Sequence, residues 1–319
     1  MNSIPSTFSE HQINRTVLGG KMPNGSAKMN VSVILLNSSG NHLRVQALEN
    51  LLSCGFRSVV SVEPSPDSFN TEELSRRYPA IKFVVPLEKA SDGELVNMCM
   101  AEVDSEYVLV LRDSLYIPSG ILLQHLAEKL TKGRTYCIVP RLLDNKGQGI
   151  SVQIVPEARR GRFLMTPSQF VADGLPTLFP YDYIGLYNRE KFIQLGGFDY
   201  TISSSYWQNA DLSLRAWLWG EKITIGTSFR ISYDQEPAAF DATPEFSYLK
   251  FYLKNILPRF KDDHGRISAA SFFVFRRHSS CGFFESLSLF QEARRWVERN
   301  QFRFKLDVNA LVLQWGDIS

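Results

Sequence analysis

The sequence predicts an α/β fold on a mostly parallel sheet with helices on both faces, followed by a C-terminal helical segment. Three observations carry the first part. Between residues 31 and 111, short β-rich runs alternate with helical patterns. The runs are apolar throughout, as in strands covered on both sides. Strands and helices alternating at this pace imply right-handed βαβ crossovers.

Residues 31–36 form the first predicted strand, which runs into the turn cluster Asn37-Ser38-Ser39-Gly40. Residues 42–54 read as a helix, with Leu43, Ala47, Leu48, Leu51 and Leu52 at helical spacing and Gly55 as its stop. A second strand at 58–62 leads to Glu63-Pro64-Ser65-Pro66-Asp67, then a polar helix at 71–78 and a third strand at 81–85. A helix at about 91–103 precedes the fourth strand, 107–111. Ligands of such sheets sit outside the carboxyl ends of the strands. That places Asn37-Ser38-Ser39, Glu63-Pro64-Ser65 and Arg112-Asp113-Ser114 around one site.

Residues 137–177 are less regular, with Gly147, Gly149, Pro156, Gly161 and Pro167 punctuating short strands. Their basic cluster, Arg159-Arg160-Gly161-Arg162, is either a solvated loop or a contact for phosphate or an acidic acceptor. After Ile231, Phe246, Leu249, Tyr252, Leu253 and Ile256 mark an amphipathic helix ending near Pro258. Two more helices are expected within 269–275 and 284–296. Phe272, Phe273, Phe275, Phe283, Phe284 and Phe290, with Arg276 and Arg277 between them, fit core packing, a dimer surface or a membrane-surface helix.

Composition excludes several classes. At 44% hydrophobic and 21% charged residues the chain is neither disordered nor coiled-coil. A net charge of +2 gives no reason to expect nucleic acid as a partner. Cys54, Cys99, Cys137 and Cys281 lie far apart, against zinc fingers and disulfide scaffolds and in favour of a reducing compartment. No apolar run approaches the roughly 18 residues of a membrane span. Residues 1–29 are polar, lack a hydrophobic signal region and read as a flexible tail. Its sequons, Asn14-Arg15-Thr16 and Asn24-Gly25-Ser26, matter only in a secreted protein. The expectation is a cytoplasmic protein, at most peripheral to a membrane.

Several strings resemble the family-2 glycosyltransferases, enzymes of the GT-A fold. They are Val31-Ser32-Val33-Ile34, Gly93 with Asn97, Ser105-Glu106-Tyr107-Val108-Leu109-Val110-Leu111, and Gly185 with Asn188-Arg189-Glu190-Lys191-Phe192. Leu195-Gly196-Gly197-Phe198-Asp199, Asp211-Leu212-Ser213-Leu214-Arg215 and Gly220-Glu221-Lys222-Ile223 follow in the family's order. Tyr252-Leu253-Lys254-Asn255 is similar to the family's C-terminal helix. The resemblance implies a GT-A-like domain over 30–235, a helical extension over 236–319, and transfer of a sugar from a UDP-, GDP- or dTDP-linked donor. It places the nucleotide sugar at Asn37, Ser38, Glu63, Asn97, Arg112, Asp113 and Ser114. The acceptor-side candidates are Gly196 and Gly197, which also read as a turn with φ > 0, Phe198 and Asp199, which shape the acceptor pocket or else pack and cap, and Tyr206 and Trp207, stacking candidates in a loop. For the aromatic C-terminal segment, a homodimer or a docking site on a glycan-assembly protein is the alternative to core packing.

The family's chemistry is altered in three places. Its members hold Mg²⁺ or Mn²⁺ on an aspartate pair that neutralises the leaving diphosphate. Here the triplet is Arg112-Asp113-Ser114, so Asp113 is the one carboxylate and no metal is expected. The family's base, an aspartate in an acidic pair, falls at Gln208-Asn209. An amide takes no proton near neutral pH, which removes a contribution of about 10²–10⁴-fold. Asp211 lies two residues on, about 200° around the helix, and is no direct substitute. The third, a histidine beyond the next strand, is replaced by Ser232-Tyr233-Asp234. Asn209 also reads as the N-cap of its helix. His125, His264 and His278 have no acidic partner at useful spacing.

Two functions stay open. One is a protein that binds a nucleotide sugar with the usual mechanism impaired or lost, or that serves as a docking scaffold. The other is a metal-independent transferase in which Arg112 grips the diphosphate and Asp113, Asp182 or Asp234 is the base. For Arg112 the alternative is a salt bridge with Asp113 or Glu63. Trp217 and Trp219 read as core.

Overall fold

The computed structural model describes residues 11–21, 24–25, 27–38, 44–64, 70–237 and 241–318. The turns expected at Ser39-Gly40 and Ser65-Pro66-Asp67, the start of the first helix and residues 1–10 of the tail lie outside the described residues.

The chain runs β1 (Arg15–Gly19), β2 (Val31–Leu36), α1 (Arg44–Ser53), β3 (Val59–Val62), α2 (Thr71–Arg77), β4 (Ile81–Pro86), α3 (Asp92–Ala101) and β5 (Tyr107–Arg112). It continues through β6 (Leu115–Tyr116), α4 (Gln124–Thr131), β7 (Cys137–Leu143), β8 (Gln153–Arg159), β9 (Arg162–Ser168), β10 (Gly185–Asn188), α5 (Arg189–Leu195), α6 (Ser205–Leu218) and β11 (Ile223–Tyr233). The central sheet has the order β1-β4-β3-β2-β5-β10-β7-β11-β6. Strands β4, β3, β2, β5, β7 and β11 are parallel, while β1, β10 and β6 run against them. All six residues of β2 are buried, as unbroken apolarity requires of a central strand. Together, β2, β3 and β5 bring Asn37, Glu63 and Asp113 to one edge.

Residues 15–19 correct the expectation of a tail. They pair antiparallel with β4, Arg15 opposite Pro86 and Gly19 opposite Lys82. The strand covers an edge that would otherwise offer unpaired backbone groups, and Arg15 is fixed by Glu102 at 2.6 Å. The basic cluster is the tip of the β8–β9 hairpin. Arg159 pairs with Arg162 across Arg160 (φ 51°) and Gly161 (φ 74°), a two-residue turn with positive φ at both central positions.

The C-terminal part is less purely helical than expected. Helix α7 (Phe246–Phe251) passes into a π-helical turn, Tyr252–Ile256. Pro258 blocks continuation, and β12 (Arg259–Lys261) pairs with β13 (His264–Arg266) across Asp262 and Asp263, both at positive φ. Then follow α8 (Ser271–His278), α9 (Phe283–Asn300) and α10 (Val308–Ile318), the last absent from the sequence reading. No described helix is long and apolar enough to cross a membrane.

Candidate functional site

At the carboxyl edge, the Ser38 backbone N–H and hydroxyl donate to the two oxygens of Asp113, each at 2.8 Å. Burial pushes the Asp113 carboxyl up, against these bonds and the nearby arginines. Asn37 donates to the Ser61 hydroxyl and the Val62 carbonyl at 2.8 Å. Glu63 is fully buried, paired with Arg44 and raised by that burial against the arginine's charge. Among the described residues, three polar atoms here have no hydrogen-bond partner: Asn37 Oδ1, Glu63 Oε2 and Arg44 Nε. Such buried groups cost about 1–3 kcal/mol each unless something satisfies them.

Arg112 forms its salt bridges with Asp92 and Asp182, each at 2.7 Å, which corrects the expected pairing with Asp113 or Glu63. Its guanidinium also lies 5.7 Å from the Tyr183 ring centroid. Asp182 (φ 51°) and Tyr183 (φ 64°) both occupy the left-handed region, disfavoured for side chains beyond glycine. Burial pushes the Asp182 carboxyl up to about 6, against the pull of Arg112. The folded state thus holds this proton more tightly than the unfolded chain. The resulting stability is complete below pH 3.8 and is lost as pH rises through about 6. NMR titration of the Asp182 carboxyl should show a midpoint near 6, moving upward in Arg112→Ala.

The two positions that the resemblance assigns to the base region are buried amides, Gln208 and Asn209. Helix α6 is capped by Ser204, whose hydroxyl accepts from the Trp207 N–H, so Asn209 is interior and not the N-cap. Gln208 donates to the Ser91 hydroxyl (3.0 Å) and the Asp199 carbonyl (2.9 Å) and accepts from the Gly93 N–H (3.1 Å) and the Tyr183 hydroxyl (3.2 Å). Asn209 donates to the Pro180 carbonyl at 2.7 Å, and among the described residues its own oxygen has no partner. Tyr206 and Trp207 lie on the helix, not in a loop. Trp207 is buried, donates to the Thr243 carbonyl at 3.0 Å and packs edge-on to Tyr206 and Tyr248.

Asn97 holds the Phe198 backbone from both sides, donating to its carbonyl at 2.8 Å and accepting from its N–H at 2.9 Å. Phe198 is buried against Tyr183 and Phe192, and Gly196 (φ 89°) and Gly197 (φ 67°) make the turn before it. Gly93 faces this bracket: a Cβ there would meet the Gln208 Cδ at 2.6 Å and the Phe198 Cβ at 2.7 Å. Asp199 pairs with Lys254 at 2.7 Å, and Asp211 with Arg215 at 2.8 Å and Lys254 at 3.4 Å. Asn255 donates to Asp211 at 2.7 Å. Asp199 and Asp211 thus anchor the C-terminal segment. Trp217 and Trp219 join it too, against Trp315 and Trp296.

The residues do not fit the divalent cation that the resemblance implies. Both Asp113 oxygens accept from Ser38, and Ser114 brings an uncharged hydroxyl, its carbonyl accepting from the Asp234 N–H at 2.9 Å. Among the described residues no group of three His, Cys, Asp or Glu can hold a metal ion. Sequence reasoning missed Arg44 and Asp92, whose partners are distant in the chain and leave no local signal.

No family model matches the chain, and no curated protein matches it. Solved structures do. GalNAc-T7, crystallised with UDP, GalNAc and Mn²⁺, aligns with a TM-score of 0.54 at 13% identity, over 84% of this chain and 54% of that one. S. aureus TarS 1–349 in complex with UDP-GlcNAc aligns at 0.52 and 14% identity, over 83% and 71%. This chain therefore spans about half the length of the GalNAc-T7 chain. Shape at such low identity establishes architecture: the chain has a glycosyltransferase-like fold of the GT-A type.

Proposed function

We propose that this chain is a family-2-like protein of glycan biosynthesis that binds a nucleotide sugar at the carboxyl edge of β2, β3 and β5, with the metal-dependent inverting mechanism lost. The observation that carries the reading is the set of unpartnered buried atoms on Asn37, Glu63 and Arg44. Asn37 Oδ1 and Glu63 Oε2 suit the N–H of a base or the hydroxyls of a ribose, and Arg44 Nε suits an acceptor. Lost catalysis is supported by the buried amides at 208 and 209 and by the occupied oxygens of Asp113. The nucleotide complexes of GalNAc-T7 and TarS make the ligand class reasonable.

A second reading rests on Asp182. A carboxyl raised to about 6 beside Arg112 is suited to general-base work near neutral pH. Arg112 must then leave two carboxylates to grip a diphosphate, which weighs against it.

Calorimetry with UDP-, GDP- and dTDP-linked sugars, with Mn²⁺ or with chelator, tests both readings. The expected result is binding of one nucleotide class unchanged by chelator, without turnover. Binding that requires Mn²⁺ overturns the proposal. Turnover abolished by Asp182→Asn establishes the second reading, and binding of no nucleotide leaves a docking scaffold.

A further inference from the structure

Four phenylalanines form a chain of touching rings where α8 meets α9. Ring centroids are 5.8 Å apart for Phe273 and Phe272, 5.8 Å for Phe272 and Phe283, and 5.6 Å for Phe283 and Phe284. Phe272 is buried and packs on Phe290 at 5.4 Å. The other three are exposed, at 69%, 52% and 83%, with Val274 beside them at 50%. Contiguous exposed aromatic rings held rigidly from beneath mark a contact surface, whereas single exposed apolar residues are ordinary.

Charge indicates what the surface meets. From Ser271 to Phe284 the chain has no acidic residue and carries Arg276 and Arg277, with Glu285 following in the first turn of α9. Arg277 follows Phe273 by four positions and Val274 by three, so it shares their face of α8. Among the described residues, Arg276 reaches only the Ser279 carbonyl, at 3.5 Å, and neither Arg276 nor Arg277 forms an ion pair. We propose that this patch docks the protein on an anionic lipid surface, the phenylalanines entering the acyl boundary and the arginines meeting lipid phosphates. Apolar insertion and headgroup attraction act together in such contacts.

Sedimentation of the full chain with phosphatidylcholine vesicles, with and without phosphatidylglycerol, tests the proposal. Binding is expected to vesicles containing the anionic lipid and to fall as salt rises. The Phe273→Ser/Phe284→Ser variant should bind at least about tenfold more weakly with little change in melting temperature, because these are the two most exposed rings of the patch, at 69% and 83%. Arg276→Gln/Arg277→Gln should lose the preference for phosphatidylglycerol while still folding. Absence of vesicle binding, or equal binding by the phenylalanine variant, overturns the proposal. So does a concentration-dependent dimer abolished by that variant, which would assign the patch to a second copy of the chain.

Discussion

Lys254→Met is expected to lower the unfolding free energy by about 3–5 kcal/mol, read from the urea midpoint. The side chain is 8% exposed and bridges Asp199 and Asp211, themselves buried. Removing the ammonium leaves Asp199 without its ion-pair partner in a site that water barely reaches. Asp211 keeps Arg215 and Asn255, so Asp199 carries most of the loss. Its protonation provides a check. Burial alone would raise the Asp199 carboxyl, but the charge and hydrogen bond of Lys254 hold it well below the usual range. A depressed folded value contributes stability that is present above the unfolded value of about 3.8 and lost as pH falls through the folded one. The wild type should therefore lose more stability than Lys254→Met on acidification below about pH 4, and the two curves should converge.

Gln208→Glu should destabilise the fold by about 3 kcal/mol at neutral pH and restore no catalysis. The position is fully buried, and two of its four hydrogen bonds are donations from the amide nitrogen. A carboxylate would turn an oxygen toward the Asp199 carbonyl and lose both donations. The new carboxyl should stay protonated well above its ordinary pKa of about 4.3, where it can still donate one bond. With the folded value raised, the variant should approach wild-type stability in acid and lose it as pH climbs from about 4 through neutrality. Parallel urea curves at two pH values would display this. A variant equally stable at both, or one that hydrolyses a nucleotide sugar, would contradict the structural role of the Gln208 hydrogen bonds.

The strands around the site were legible because their apolarity is unbroken: 107–111 is β5 but for the addition of Arg112. The five residues of β1 were not, since Arg-Thr-Val-Leu-Gly between polar neighbours carries too little pattern and acquires its structure only by pairing with β4. For the site, chain order brought Asn37, Glu63 and Asp113 to one edge. It misplaced Tyr206 and Trp207 in a loop, because the Ser204 cap starts α6 earlier than the family motif suggests. The partners of Arg112 stayed hidden, being 20 and 70 positions away, a separation that local propensity does not register.

The widened turn at Tyr252–Ile256 has a consequence for how this segment tolerates change. An ordinary helix advances about 100° per residue, whereas the π turn that ends α7 is wound more widely, up to its cap at Leu257. Deleting a single residue between Phe251 and Lys254 would let the turn relax to the common winding, but Lys254 and Asn255 lie in the turn itself and would each move back by one position, about 100° around the axis. The ammonium and carboxamide that now reach Asp199 and Asp211 would swing to another face of the helix. Length, alongside chemical identity, is therefore constrained in this stretch of chain.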